Sequence, residues 1–352
     1  MKADASSAWP GFHEMEGKMG TIILAADIGG SKTDLALYEV GTGRPGMLCE
    51  ARYHNRDVDG FAELLSNFLD GCAVRPCCAV LAVAGPVRGG RVRMTNLDWQ
   101  LDSAELAHRF SLDQVILIND LVATAMAAVH AEASQLVTIN QGEVDSSGNV
   151  AVLAPGTGLG EAALFCRQNR WLPMPSEGGH TAFAPADALQ IELLCFLLGQ
   201  GRDMVSVEDV CSGRGIPALY QFCCHHQQTD APLLDLEPAE QTPAIVAAAL
   251  AGLGQGDEDH PAVRAMRLFV AILAAEASDL ALTTLATGGI YIGGGLPPRL
   301  LPFFDTPTFM RSFARGVYHE MLARIPVHLL THPRAALWGA ALYGVSSLQS
   351  LG

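Results

Sequence analysis

Asn119-Asp120 closes the apolar run Val115-Ile116-Leu117-Ile118 and opens a stretch with helical spacing. An aspartate at the end of a strand and the start of a helix is accessible and ionised. Such a carboxylate can act as a general base, taking the proton of a hydroxyl as its oxygen attacks phosphorus. The competing reading is a plain helix N-cap. Asn119 beside it carries both a donor and an acceptor, which suits a hydroxyl. In Glu177-Gly178-Gly179-His180 two glycines let the backbone bend while a carboxylate and an imidazole face one space, a combination fit for vicinal hydroxyls. The alternative is a surface loop with an incidental His; the metal pattern H-E-x-x-H is absent. Glu208, ahead of Ser212-Gly213, is either a further hydroxyl partner or part of a solvated helix face.

Two glycine-rich turns each follow an apolar run. Asp27-Ile28-Gly29-Gly30-Ser31 follows Ile22-Ile23-Leu24-Ala25-Ala26, and Gly156-Thr157-Gly158-Leu159-Gly160 follows Val150-Ala151-Val152-Leu153-Ala154. Glycine lets the main chain come close to phosphate and offer it bare N–H groups. Tight hairpin turns are the alternative. Gly30-Ser31-Lys32-Thr33 resembles the tail of a P-loop, but neither the full P-loop pattern nor the dinucleotide fingerprint is present. Asp27, at the close of its strand, can hold Mg²⁺ through water beside phosphates.

The elements that must position these groups are legible in outline. Strands are expected at 22–26, 35–40, 79–84, 92–95, 115–118, 150–154, 290–292 and 327–330. Helices are expected over 61–69, from Asp102 or Ser103 to Phe110, and over 121–129, 186–198, 262–285 and 335–346. Strands punctuated by glycine and alternating with helices point to α/β layers, and the repeated strand-plus-glycine-turn points to two related lobes. Residues 225–261, richer in Gln, Pro and acid, read as a surface excursion.

A chain of 352 residues buries a full core. Its formal charge of −15 argues against nucleic acid as a partner, because that affinity leans on many Lys and Arg. No membrane span is expected: the most apolar stretch, residues 268–285, carries Glu276 and Asp279. Residues 1–20 lack an apolar signal core and read as a loose leader. Nine cysteines without C-x-x-C spacing fit reduced thiols and a cytoplasmic location. Cys223-Cys224-His225-His226 is either a soft-metal site or, better supported, an ordinary helix end.

Taken in order, Asp27-Ile28-Gly29-Gly30-Ser31, Ala84-Gly85-Pro86, Met94-Thr95-Asn96, Ile118-Asn119-Asp120, Gly156-Thr157-Gly158-Leu159-Gly160, Glu177-Gly178-Gly179-His180, Glu208-x-Val210-x-Ser212-Gly213 and Gly293-Gly294-Gly295 resemble the bacterial ATP-dependent glucokinase family. The match runs from about residue 21 to the C-terminus. A related family of repressors and kinases follows a similar E-G-G-H motif with a cysteine-rich zinc segment, and no such cluster follows His180. The resemblance implies an α/β, two-lobed actin-like ATPase (ribonuclease H-like) fold with a central cleft. It implies a small lobe of residues 21–130 plus 332–352 and a large lobe of 131–331. Asp120 would be the base for the 6-hydroxyl of glucose, with Asn119, Glu177, His180 and Glu208 holding the other hydroxyls. Asp27, Gly29, Gly30, Ser31, Gly156, Thr157 and Gly158 would face the phosphates of ATP, with Gly293, Gly294 and Gly295 near the nucleoside. Mg²⁺ would arrive with ATP rather than on a protein metal site. A homodimer is the implied assembly. Ser31-Lys32-Thr33-Asp34 departs from the family's usual Thr-Asn-x-Arg: Ser31 keeps the hydroxyl, but Asp34 replaces a positive charge. Another hexose kinase of the same fold, a polyphosphate-driven kinase and a non-catalytic sugar sensor are the rival readings.

Overall fold

The first glycine turn joins two antiparallel strands, β1 (Thr21–Ile28) and β2 (Lys32–Val40), so hairpin and candidate phosphate turn are one structure here. The chain continues through β3 (Gly46–His54), α1 (Phe61–Asp70), β4 (Cys78–Val83), the small hairpin of β5 (Arg91–Arg93) and β6 (Gln100–Asp102), α2 (Ser103–Phe110), β7 (Gln114–Asn119) and α3 (Asp120–Ala128). This computed structural model describes residues 20–41, 44–94, 97–168 and 170–349. The leader expected at 1–20, except Gly20, and Thr95-Asn96 of the Met94-Thr95-Asn96 motif lie outside the described residues. The first sheet has the order β3-β2-β1-β4-β7, with β1, β4 and β7 parallel.

Alternation along β1 sorts its side chains between two cores. Leu24, Ala26 and Ile28 pack with Phe61, Leu64, Leu65 and Phe68 of α1. Ala25 instead packs with Ala36, Ala82, Ala123 and Ala127. Asp27 follows Ala25 by two residues, so it falls on the face covered by the C-terminal helix (Ala335–Gln349) together with α3, the helix that Asp120 begins. Small side chains on that face let both helices lie close to the sheet.

A second sheet repeats the pattern. After β8 (Leu136–Asn140) come β9 (Val150–Pro155), β10 (Leu159–Arg167) and β11 (Arg170–Ser176). Helices α4 (Ala188–Gly199), α5 (Ile216–Gln227), α6 (Pro238–Gln255) and α7 (Pro261–Thr284) precede β12 (Gly289–Ile292). Then follow α8 (Thr306–Phe313), α9 (His319–Arg324), β13 (Val327–Leu330) and α10 (Ala335–Gln349). The sheet order is β11-β10-β9-β12-β13-β8, with β9, β12 and β13 parallel and β8 antiparallel at one edge. The chain divides into two compact units, one of residues 1–131, 164–175 and 332–352, the other of 132–163 and 176–331.

Residues 225–261 are not a surface excursion. Eighteen of them form α6, and Ile245, Val246, Ala249 and Gly252 are buried, the first three in the same core as α7. Pro238 sits at the first helical position, where no N–H is needed. Pro243 hides the helix from a sequence reading, because an interior proline normally argues against one. Cys223-Cys224-His225-His226 is the last turn of α5, with both cysteines buried. Among the described residues no cluster of His, Cys, Asp or Glu could hold a metal, and no helix is long and apolar enough to cross a membrane.

Candidate functional site

The candidate residues fall into two groups, one in each unit. In the first unit Asn119 is the N-cap of α3: its Oδ1 accepts the Leu121 N–H at 2.8 Å. Because Asn119 takes the cap, Asp120 becomes the first helical residue. The helix N-terminus stabilises its negative charge. The Leu121 N–H also reaches the Asp120 Oδ1 at 3.0 Å, and Thr124 Oγ1 donates to the Asp120 carbonyl at 2.9 Å.

Asp27 lies half-buried at the end of β1. Withdrawal from water is the main force raising its carboxyl from the ordinary 3.8 to about 7; the charge of Asp120 adds to this, then that of Asp34, while Arg52 opposes. Asp34 stands directly opposite Asp27 on β2, and Arg52 directly opposite Asp34 on β3. Arg52 grips Asp34 with two bonds, Nε to Oδ1 at 2.6 Å and Nη2 to Oδ2 at 2.8 Å. The neighbouring strand thus sets a positive charge against Asp34. Arg52→Met leaves Asp34 without its fork and is expected to cost about 1–3 kcal/mol of stability, read as a lower Tm.

The first glycine turn is braced from a distance. Gly29 N–H donates to the Lys32 carbonyl at 3.0 Å. Buried Asn55 donates from Nδ2 to the Gly29 carbonyl at 2.9 Å and accepts from Thr33 Oγ1 at 2.8 Å. Ser31 is exposed at the tip.

In the second unit three loops converge on Glu208. Its backbone N–H donates to the Gly179 carbonyl at 2.8 Å, while its Oε2 accepts the Leu159 N–H at 2.8 Å. Its Oε1 pairs with Arg214 Nη2 at 3.4 Å. One residue therefore ties the 156–160 turn to the 177–180 loop. A Cβ at Gly158 would take the place of the Glu208 carboxylate and displace it from Leu159. Glu177 and His180 are both largely exposed, with Oε2 and Nε2 4.0 Å apart. Gly213 N–H donates to the Gly156 carbonyl at 2.8 Å, and Gly293 N–H to the Leu153 carbonyl at 2.7 Å, so both segments pack against the end of β9.

Gly156, Thr157 and Gly295 line a cavity of about 650 Å³ in this unit. Arg214, Arg299 and Thr242 line it too, and none of the three was singled out by the sequence. Thr242, on α6, donates to the Gly213 carbonyl at 2.7 Å. Arg299 places a positive charge at this cavity beside the glycine turn, suited to a polyphosphate, while the charge of Arg214 is matched by Glu208.

Comparison with known proteins agrees over nearly the whole chain. The glucokinase family model matches residues 24–346. The glucokinase of Nostoc sp. (strain PCC 7120) is 35% identical over 337 residues, covering 92% of this chain and 98% of its own. That of Synechocystis sp. (strain PCC 6803) is 33% identical over 356 residues, covering 94% and 100%. The crystal structure of a glucokinase from an Antarctic psychrotroph superposes with a TM-score of 0.80 at 31% identity, covering 94% of this chain and 99% of that one. The fold is the α/β actin-like ATPase fold that the motifs imply.

Proposed function

Because the chain belongs to the glucokinase family, we propose that it transfers the γ-phosphate of ATP to the 6-hydroxyl of glucose, giving glucose 6-phosphate and ADP. The observation that carries this reading is Asp120 at the head of α3, behind its Asn119 cap and close enough to Asp27 to raise that carboxyl.

In this reading Asp120 accepts the 6-hydroxyl proton as that oxygen attacks the γ-phosphorus. The Asn119 amide orients the sugar while its carbonyl oxygen holds the cap. Glu177, His180 and Glu208 bind the other hydroxyls; a sugar lacking one of them would leave a protein group unpaired. The backbone around Gly29, Gly30 and Ser31 and around Gly156, Thr157 and Gly158 presents N–H groups to the phosphates, with Gly293, Gly294 and Gly295 toward the nucleoside. Asp27 fits a cation arriving with ATP: its carboxyl is held up by burial and by two neighbouring carboxylates, a repulsion that positive charge would relieve. When bound, Mg²⁺ would neutralise phosphate charge, with Asp27 holding it through water.

The cavity arginines extend the nucleotide assignment. Arg299→Ala is expected to raise KM for ATP about tenfold with KM for glucose unchanged, the loss of one charge-assisted bond. Steady-state kinetics varying each substrate in turn checks this.

The deciding experiment is a coupled assay of glucose, mannose, fructose and N-acetylglucosamine with ATP and with polyphosphate. Glucose with ATP should give the highest kcat/KM. Sugar binding without turnover would make the chain a sensor, and preference for another pair would make it a different kinase. A cytoplasmic homodimer completes the proposal: nine free thiols support the compartment, and light scattering of the purified protein tests the assembly.

A further inference from the structure

We infer that Cys49 on β3 and Cys72, just past the end of α1, form a site of reversible oxidation: a small-molecule disulfide converts the two thiols to an intramolecular disulfide that clamps the edge strand of the first sheet. The site lies outside the proposed phosphotransfer chemistry and does not depend on it.

Strand register and a helix end bring the two sulfurs together. Leu37 of β2 pairs with Cys49, but the next residue, Tyr38, pairs with Met47, so Leu48 is an extra residue in β3. A bulge of this kind re-aims the side chains of its strand. Beyond it Cys49, Ala51 and Tyr53 alternate inward onto the core that α1 shares with β1, while Met47 and Leu48 stay exposed. Cys72 meets the same core. Its backbone N–H donates to the Leu69 carbonyl at 3.0 Å and its Sγ to the Phe68 carbonyl at 3.3 Å. The two Sγ atoms stand 3.1 Å apart, both half-buried. With the Cys72 S–H directed at Phe68, the Cys49 S–H is the donor across that gap. Cys77 and Cys78 are closer to Cys72 along the chain but pack with Ile23 and Val345 in a separate cluster. Ile23 and Leu24 point to opposite faces of the sheet, so that cluster lies on the other side from Cys49.

The separation suits bond formation. It falls in the near-attack range of about 3–3.5 Å. Closure to a bond of about 2.05 Å draws the sulfurs together by only about 1 Å. In the first step the Cys49 thiolate attacks one sulfur of the small disulfide. A bond forms to Cys49, and the other half leaves and takes the proton that Cys49 gave up. Cys72 then attacks the Cys49 Sγ, the protein disulfide forms, and the second half leaves with the proton of Cys72. Two protein sulfurs are oxidised by two electrons, and the small disulfide is reduced to two thiols. Burial, then the bond to Cys49, pushes the Cys72 thiol up to about 11, with Arg75 opposing, so Cys72 attacks second and closure is faster in mild alkali.

The clamp acts on a strand that needs one. β3 is an edge strand, paired with β2 alone. It carries Arg52, the fork on Asp34, and leads into Asn55, the brace of the first glycine turn. The disulfide would tie this strand to α1 and close a loop of 24 residues (72 − 49 + 1), which restricts the unfolded chain.

The full chain incubated with oxidised glutathione at about pH 8.5 should yield, in a non-reduced peptide map, residues 49 and 72 joined to each other. The Tm should rise by about 5 °C or more. Amide exchange in β3 should slow. Dithiothreitol should reverse all three. Cys49→Ser and Cys72→Ser should show none of these changes, and Cys195→Ser, at an exposed thiol, should behave as wild type. Glutathione retained on Cys49 with no link to Cys72 overturns the inference. So does a 49–72 link that leaves the Tm and the exchange of β3 unchanged. Should a serine variant fail to fold, the peptide map and the melt of oxidised against re-reduced wild type decide the matter alone.

Discussion

Asp120→Asn is expected to lower kcat by about 10²–10⁴-fold while leaving the Kd for glucose within about threefold. Asparagine is nearly the same size, and Asn119 rather than Asp120 is the cap of α3, so the helix keeps its first bond. What disappears is the proposed acceptor for the 6-hydroxyl proton. The other residues proposed to hold the sugar, Glu177, His180 and Glu208, are untouched. Calorimetric glucose binding beside the coupled assay separates the two quantities. Near-normal turnover would remove Asp120 from the mechanism. A large loss of glucose affinity with turnover intact would make it a binding residue instead.

Asp27→Asn is expected to lower kcat/KM for ATP by about 10²–10³-fold and at the same time to raise the Tm at pH 8 by a few degrees. The opposite directions share one cause. The folded-state carboxyl titrates at about 7 instead of 3.8, mainly through burial and then through Asp120 and Asp34. A raised acid contributes fully to stability below its unfolded value; that contribution is lost as pH rises from about 3.8 to about 7. At pH 8 the folded chain therefore carries a charge that it holds poorly, and the amide removes that cost. At pH 4 the two proteins should melt together. The same direction requires wild-type kcat/KM for ATP to rise with pH through about 7, because the ionised form is the useful one. A variant no more stable than wild type at pH 8 would show that Asp27 is not strained.

Much of this was legible from residue order. Ile22 to Ala26 and Val150 to Ala154 are apolar runs stopped by glycine, and local physics makes them strand and turn. The candidate groups announced themselves because a carboxylate next to a glycine turn is a poor choice for a core. Features that depend on distant residues were not legible. Asn55 braces the first turn through its Gly29 contact across 26 positions, and no local pattern marks it. Arg52 meets Asp34 only because β3 pairs with β2 in that register. The helix α6 was obscured by Pro243 and by a short apolar stripe.

Glu208 answers to two masters. One oxygen fastens the 156–160 turn at Leu159 and its own amide fastens the 177–180 loop at Gly179. Redesigning sugar preference at this position would therefore loosen the 156–160 turn, proposed to face the phosphates, as well. An evolving or engineered lineage seeking a new hexose would do better to begin at Glu177 and His180, whose exposed side chains can be exchanged without loosening that knot.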